Sequence, residues 1–409
     1  MAADNSMDGA FPWHLGVYDA HCHPTDTMSS VQTIQKMKTR VLTIMATRAE
    51  DQDLVESTAE KHSIKSSDAS KWSKEECIVP CFGWHPWFSY QMYITDGENN
   101  EVEEPGNLTG DAKIAHYQSV LQPSRDKLSE EDVRILLSLP DPTPFHAFLA
   151  RTRRHLEQYP YALVGEIGLD RSFRIPESWT DHQALWSQRN TRLTPGGREG
   201  RRLTPFRCSP EHQKKIFKLQ LQLAADMGRA VSVHGVQAHG LLLEVLSTLW
   251  KGHEKEVLSK RQRKKRAEDD AVEEAALDFE ASNTDTEKQK STCTPYPPRI
   301  CLHSYSGNVS NFKQYLNPAI PARIFASFST AINLSDAMGE ETPESFEQMV
   351  KTVPEQMLLV ESDLHTAGGE MDCRLEDIVR RVCKVKGWGV EEGVERLGAN
   401  WRAFVFGEG

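Results

Sequence analysis

Residues 16 to 23 read GVYDAHCH, a short apolar lead into two histidines separated by one residue. In a strand, residues two apart share a face, so His21 and His23 are aimed together and Cys22 the other way. Seven further runs of this kind follow: VLTIMAT at 41 to 47, IVPCFGWHP at 78 to 86, YALVGEIGLD at 161 to 170, AVSVHG at 230 to 235, RICLHSYSG at 299 to 307, RIFASFST at 323 to 330 and MLLVESD at 357 to 363. Continuous Val, Ile and Leu bounded by Gly, Pro or polar residues is the pattern of parallel strands covered on both faces.

Helix-like stretches lie between these runs. Over 210 to 227, Ile216, Leu219, Leu223 and Met227, joined by Phe217, Leu221 and Ala224, make one apolar stripe; Ser209 suits the N-cap, Pro210 the first turn and Gly228 the end. A second helix is expected at 391 to 405, where Val394, Leu397, Trp401, Phe404 and Val405 recur at helical spacing. Eight strands separated by helices imply an α/β fold, a (β/α)8 TIM barrel, which needs about 250 residues as one domain. The chain has 409. Its surplus falls between consecutive strands, in residues 87 to 160, 171 to 229 and 236 to 298, which are 74, 59 and 63 positions long against 17 between the first two strands. We therefore expect one barrel domain over 1 to 409, with insertions at 87 to 145, 171 to 209 and 251 to 298. All three follow strand C-terminal ends, where they could wall the mouth. The last carries SKRQRKKR followed by AEDDAVEEAALDFE. Such charge blocks read as a flexible, solvated segment, with nuclear import or a phosphate contact as alternatives.

The bulk numbers restrict function. With 48 Lys+Arg against 59 Asp+Glu the formal charge is −11, which argues against coating nucleic acid by general attraction but leaves room for a small cleaving site whose positive charge is metal. No run of about 18 apolar residues is present and the start has no signal-peptide pattern, so neither a membrane partner nor classical secretion is expected. Cytoplasm or nucleus is the expected location. Eight cysteines, none in a C-x-x-C pair, fit a reducing compartment.

The chemistry lies where certain residues fall. His21 and His23 end the first run, Glu166 the fourth, His234 the fifth, His303 the sixth and Asp363 the eighth. In a parallel barrel these ends converge on one mouth. Four imidazoles and two carboxylates are too many for one tetrahedral ion but suit two divalent ions sharing a carboxylate. Zn, Mn and Mg all remain open as the metal.

Together YDAHCH, GWHP at 83 to 86, VGEIGLD at 164 to 170, HQKKIFKLQLQLAADMGRAVSVHG, LHSYSG at 302 to 307, LLVESD at 358 to 363 and GANWRAFVF at 398 to 406 resemble the TatD family of metal-dependent hydrolases, within the amidohydrolase-like barrels. The resemblance implies hydrolysis of phosphodiester bonds in DNA, often from the 3′ end, with nucleic acid as the partner. It places His21, His23 and Asp363 on one ion, His234 and His303 on the other, and Glu166 between them. Asp363 then orients or deprotonates the attacking water and Glu166 serves as scaffold. Asp19 would support the histidine pair from behind.

Other residues carry two readings. His85 and Arg171 are candidate substrate-phosphate contacts, against a structural role for His85 and a simple ion pair for Arg171. Trp84 and Trp87 could stack on a base or pack a loop. Cys22, Phe217 and Leu221 read as buried. Two departures stand out: the family's His-x-Arg-x-Ala after the fifth strand is here His234-Gly235-Val236-Gln237-Ala238, and Leu364-His365-Thr366 replaces a Pro shortly after Asp363. His365 could supply a phosphate contact or be an ordinary loop residue. Three functions stay open: a phosphodiesterase acting on nucleic acid, a hydrolase of another ester or amide with the same metals, and a barrel kept as a platform whose 251 to 298 insertion binds a protein partner.

Overall fold

A computed structural model describes residues 10–95, 106–125, 127–189, 199–257 and 294–407. Eight parallel strands form one sheet in chain order: β1 (Tyr18–Cys22), β2 (Val41–Met45), β3 (Ile78–Phe82), β4 (Leu163–Asp170), β5 (Val231–Val236), β6 (Arg299–Leu302), β7 (Arg323–Phe328) and β8 (Leu358–Val360). Between β8 and β1 the ladder gives way to single bonds. Asp363 N–H donates to the His21 carbonyl at 3.0 Å and His23 N–H to the Leu364 carbonyl at 2.9 Å. One layer deeper, the Asp19 carboxylate accepts from the backbone N–H groups of His21 and Ser362, each at 3.0 Å, and from the Ser362 hydroxyl at 2.5 Å. Burial pushes Asp19 up to about 7 against those bonds. The expected support of the histidine pair by Asp19 thus acts on backbone: this carboxylate ties the first strand to the last.

Helices cover the outside, among them α1 (Ala49–His62), α2 (Gly110–Val120), α3 (Glu130–Ser138), α4 (Phe145–Gln158), α5 (Pro210–Asp226), α6 (His239–Trp250), α7 (Val309–Gln314), α8 (Glu344–Thr352), α9 (Gly369–Lys386) and α10 (Val390–Phe406). The stripe expected over 210 to 227 is α5, with Ile216, Phe217, Leu221 and Ala224 buried and the Ser209 hydroxyl accepting from His212 N–H at 3.2 Å. The terminal helix α10 closes the end of the barrel away from the mouth. Trp401 stacks on Tyr18 with centroids 4.6 Å apart and donates its indole N–H to the Thr43 hydroxyl at 3.1 Å.

Connections after β3 and β4 build a wall instead of loose loops. The helices α2 and α3 stand in the first, with a reciprocal Ser129–Asp132 cap opening α3. Leu121–Gln122 pairs antiparallel with Arg207–Cys208 of the second, and Tyr90, Tyr117, Ile135, Leu136, Phe206 and Cys208 share one apolar cluster. Most of the charged segment expected at 251 to 298 lies outside the described residues. Among the described residues, no helix is long and apolar enough to cross a membrane.

Candidate metal centre and active site

Local backbone irregularity sets the ligands. His21 lies within β1 and His23 just beyond it, where the β1–β2 register shifts between Asp19 and Cys22. Glu166 stands in the middle of β4 and not at its end, because the strand runs on to Asp170; the β4–β5 register shifts between Val164 and Ile167 around it. Such a shift re-aims a side chain. Gly168 in turn lets β4 approach β5 closely: it holds φ +151°, and a Cβ there would collide with the His234 carbonyl. Asp363 has φ +53°, a left-handed conformation that an Asp tolerates better than most residues. Its N–H bond to His21 holds that turn against β1.

The structure brings His21, His23, His85, Glu166, His234, His303 and Asp363 together at the C-terminal mouth. Glu166 organises them by its two oxygens. On the Oε2 side lie His23 Nε2 at 3.4 Å and His21 Nε2 at 3.5 Å. Asp363 Oδ1 is 3.4 and 3.7 Å from the same two nitrogens, which are themselves 3.1 Å apart. On the Oε1 side lie His234 Nδ1 at 2.7 Å, His303 Nε2 at 2.8 Å and His85 Nε2 at 3.1 Å. His21 and His303 stack face to face with centroids 3.8 Å apart.

Four of the inner histidines have an outer partner. His21 Nδ1 lies 2.9 Å from the Ser232 hydroxyl, and His85 Nδ1 accepts from Trp87 N–H at 3.1 Å. His234 Nε2 lies 3.2 Å from Asp170 Oδ2, which also accepts the Trp87 indole N–H at 2.6 Å. His303 Nδ1 is 3.5 Å from Glu361 Oε1, and Glu361 in turn accepts from the Ser304 N–H at 2.8 Å and from the hydroxyls of Ser304 and Ser327. Asp170 and Glu361 escape the sequence reading although both sit in the motifs quoted for it. Period two would have marked them, since Glu166, Gly168 and Asp170 share one face of β4, and Glu361 is two residues before Asp363.

Electrostatics favours ionised carboxylates, with two imidazoles, His21 and His85, held neutral and three, His23, His234 and His303, drawn toward the charged form. Burial raises Glu166, but His85, His303 and His21 outweigh it and hold the carboxyl well below its usual range. Asp363 is likewise raised by burial and lowered further by His23, His21 and His303. Burial holds His21 below its ordinary value and His85 down at about 4. For His23 and His303 the same burial is outweighed by the carboxylates, which hold both well above the usual range. Two anionic groups amid facing ring nitrogens create a demand for positive charge that a divalent cation meets. Among the described residues, three groups have donor atoms close enough to hold an ion: His21, His23 and Glu166; His85, Glu166 and His234; and His21, His303 and Glu361.

Above these residues opens a cavity of about 590 Å³ lined also by Asp26, Arg48, Trp87, Phe88, Val236, Ser306 and His365. Trp87 is held by Asp170 and stacked on Phe173, centroids 4.7 Å apart. Trp84, by contrast, is buried against Phe148 and does not line the cavity. His365 is exposed and pairs with Asp26, Nδ1 to Oδ2 at 2.7 Å. Arg171 is a correction of place: its side chain is exposed, its N–H bonds the Val236 carbonyl, and it is not among the residues lining the cavity. One residue beyond Asp170, it falls on the opposite face of the strand direction.

A nearly closed parallel barrel with buried histidines and carboxylates gathered at its C-terminal mouth defines a metal-dependent hydrolase. More narrowly, the chain belongs to the TatD-related DNase family, whose model matches residues 18–405. Over 393 residues it is 34% identical to the Cut9-interacting protein scn1 of Schizosaccharomyces pombe, covering 95% of this chain and 98% of that one. A Saccharomyces cerevisiae protein described as an uncharacterized deoxyribonuclease is 25% identical over 303 residues, 74% of this chain and 71% of the relative. Among solved structures, a TatD homologue from Escherichia coli K12 aligns at 15% identity with a TM-score of 0.46, covering 96% of this chain and 98% of that one.

Proposed function

We propose that this chain is a phosphodiesterase acting on DNA through two divalent ions held on either side of Glu166. The observation that carries this reading is the placement of the two Glu166 oxygens: each faces its own set of histidines, the arrangement of a carboxylate shared by two ions. His21, His23 and Asp363 would hold one ion and His234 and His303 the other, with His85 as a further donor on the second side. That last assignment extends the expectation that His85 is a substrate contact. When bound, such ions neutralise charge on the phosphoryl oxygens and supply an activated water near pH 7. Asp363 is positioned to take that water's proton, being ionised and at the rim of the cavity. Trp87, fixed by Asp170, offers a flat apolar wall for a base. The cavity's 590 Å³ suits a nucleotide-sized portion of a strand and not a duplex.

The test is cleavage of single-stranded oligonucleotide by metal-loaded protein, beside RNA and neutral ester substrates, with bound metal measured on the same samples. Metal-dependent cleavage of DNA is expected. Cleavage confined to a neutral ester would overturn the DNA reading in favour of the second hydrolase reading, which Val236 supports by standing where the family pattern has an Arg. A protein-partner role is a separate proposal, supported by the S. pombe relative being a Cut9-interacting protein. Its expected surface is the 251 to 298 insertion, and unaltered partner recovery after deletion of residues 254 to 290 would count against it.

A further inference from the structure

Among the described residues, the mouth is lined by four carboxylates, Asp26, Glu166, Glu199 and Asp363, and by a single Lys or Arg side chain. That residue is Arg48, immediately after β2 and before α1. Its side chain is only 11% exposed, and its guanidinium carbon sits 5.4 Å from the centre of the Phe88 ring, itself part of the cavity wall. Contact of a guanidinium with an aromatic face holds the group without using its N–H donors. The nearest acids are Glu50 and Asp51, whose oxygens lie 3.5 and 3.6 Å from Nε; the buried Nε makes no hydrogen bond. Asp51 divides its carboxylate: Oδ2 accepts from the Thr47 N–H at 3.3 Å and from the Thr47 hydroxyl, while Oδ1, the atom that faces Nε, makes no hydrogen bond. A mostly buried guanidinium is therefore held by a ring contact and two long ion pairs at Nε, with no hydrogen bond from its fork, at the rim of a cavity otherwise rich in negative charge. An unsatisfied buried donor of this kind costs stability unless a ligand completes it.

We propose that Arg48 forms an anion subsite of this mouth and clamps the non-bridging oxygens of a substrate phosphate by its planar edge. The identity of the anion as a phosphate rests on the phosphodiesterase reading; the placement of the guanidinium at the cavity does not. A guanidinium facing a phosphate gives two parallel charge-assisted bonds, which fixes orientation as well as adding affinity. Such a group also explains how an anion enters past Asp26 and Glu199. It occupies a different wall from Val236, so the cation of this chain comes from the β2 end instead of the β5 end.

The experiment is calorimetric titration of metal-loaded protein with thymidine 5′-monophosphate and with thymidine. Arg48→Met keeps the length and the contact with Phe88 while removing the charge and the donors. It should weaken the monophosphate by about tenfold to a hundredfold, the effect of one charge-assisted bidentate contact, and leave thymidine unchanged. Arg48→Lys keeps the charge and loses the fork, so an intermediate loss is expected; it also serves if the Met variant fails to fold. Equal binding of monophosphate by wild type and variants, parallel losses for both ligands, or no monophosphate binding to wild type would each overturn the subsite. Oligonucleotide cleavage is scored separately. Arg48-dependent monophosphate binding without DNA cleavage keeps the subsite and removes the nuclease reading, whereas cleavage with Arg48-independent binding does the reverse.

Discussion

The two oxygens of Glu166 face unlike surroundings. Around Oε2, the donors of His21, His23 and Asp363 are 3.1 to 3.7 Å from one another or from Glu166. Ligands about 2.1 Å from a tetrahedral ion stand about 3.4 Å apart, so this side is already spaced for a cation. Around Oε1, His234, His303 and His85 approach to 2.7, 2.8 and 3.1 Å, which are hydrogen-bond distances. The origins differ as well. Backbone bonds across the β8–β1 seam fix the first group, whereas the second hangs from β3, β5 and β6 by side-chain contacts to Asp170, Glu361 and Trp87 N–H. Main-chain anchoring yields a spaced site and side-chain anchoring a contracted one. We therefore expect two ions of unequal affinity, the tighter on the Oε2 side and the looser lost first to a chelator.

The largest effect should follow from the group both sides share. Glu166→Gln is expected to empty both sides and lower cleavage by about a thousandfold or more, since ion stabilisation of the transition state amounts to several kcal/mol. Metal content and oligonucleotide cleavage measured together check this; full metal occupancy with normal turnover would end the shared-carboxylate reading. Asp363→Asn should act on one side alone, losing the tighter ion and roughly a hundredfold or more in rate while retaining the looser one. The fold should persist, because Asn also accepts φ +53°. Asp363→Ala should match it in activity yet melt lower, by about 1 kcal/mol of left-handed backbone strain. Identical melting of the two variants would show that this turn carries no such strain.

A smaller change should single out the other side. Asp170→Asn leaves every inner donor in place but removes the anion behind His234, which should weaken the looser ion by about tenfold to a hundredfold and spare the tighter one. Loss of both ions together would contradict the separation drawn at Glu166. The same substitution frees the Trp87 indole N–H, so base-dependent binding should fall with it.

Most of this arrangement is legible in the sequence, and the reasons show where legibility stops. Strands covered on both faces leave unbroken apolar runs, and the histidines and acids at their ends stand out by contrast; hence the eight strands and the metal-site candidates His21, His23, Glu166, His234, His303 and Asp363. Arg171 misleads because a charged residue adjoining a motif has no fixed side until the strand's end is known. Asp170 and Glu361 require alternation to be followed past the first polar residue. Arg48 has no pattern at all: its meaning comes from Phe88, 40 positions away in the chain. The wall helices α2 and α3 escape for a related reason, since α2 is largely polar and its buried face, Lys113, Tyr117 and Val120, is completed by the apolar cluster that joins both insertions.

That wall supplies the smallest effect at neutral pH and the last distinction between the two sides. His212 on α5 lies 3.0 Å from the Ser89 carbonyl and 2.9 Å from that of Met92, tying the segment after His85 to the barrel's outer layer. Burial, aided by nearby His116 and Lys215, lowers its pKa from 6.5 to about 4. The unfolded wall therefore binds a proton that the folded wall refuses between those values. Stability is complete above pH 6.5, declines as pH falls through that window, and is lost in full, by about 3 kcal/mol, only near pH 4. The segment carries Trp87, whose N–H orients His85, so acidification through this range should loosen the Oε1 side before the backbone-locked Oε2 side. Hydrogen-exchange protection factors of residues 85 to 93 at pH 7 and pH 5, taken relative to the intrinsic rate at each pH, check the order. In His212→Gln the protection of this segment should become independent of pH over that window; if it still falls on acidification, His212 is not what ties the wall to the contracted side.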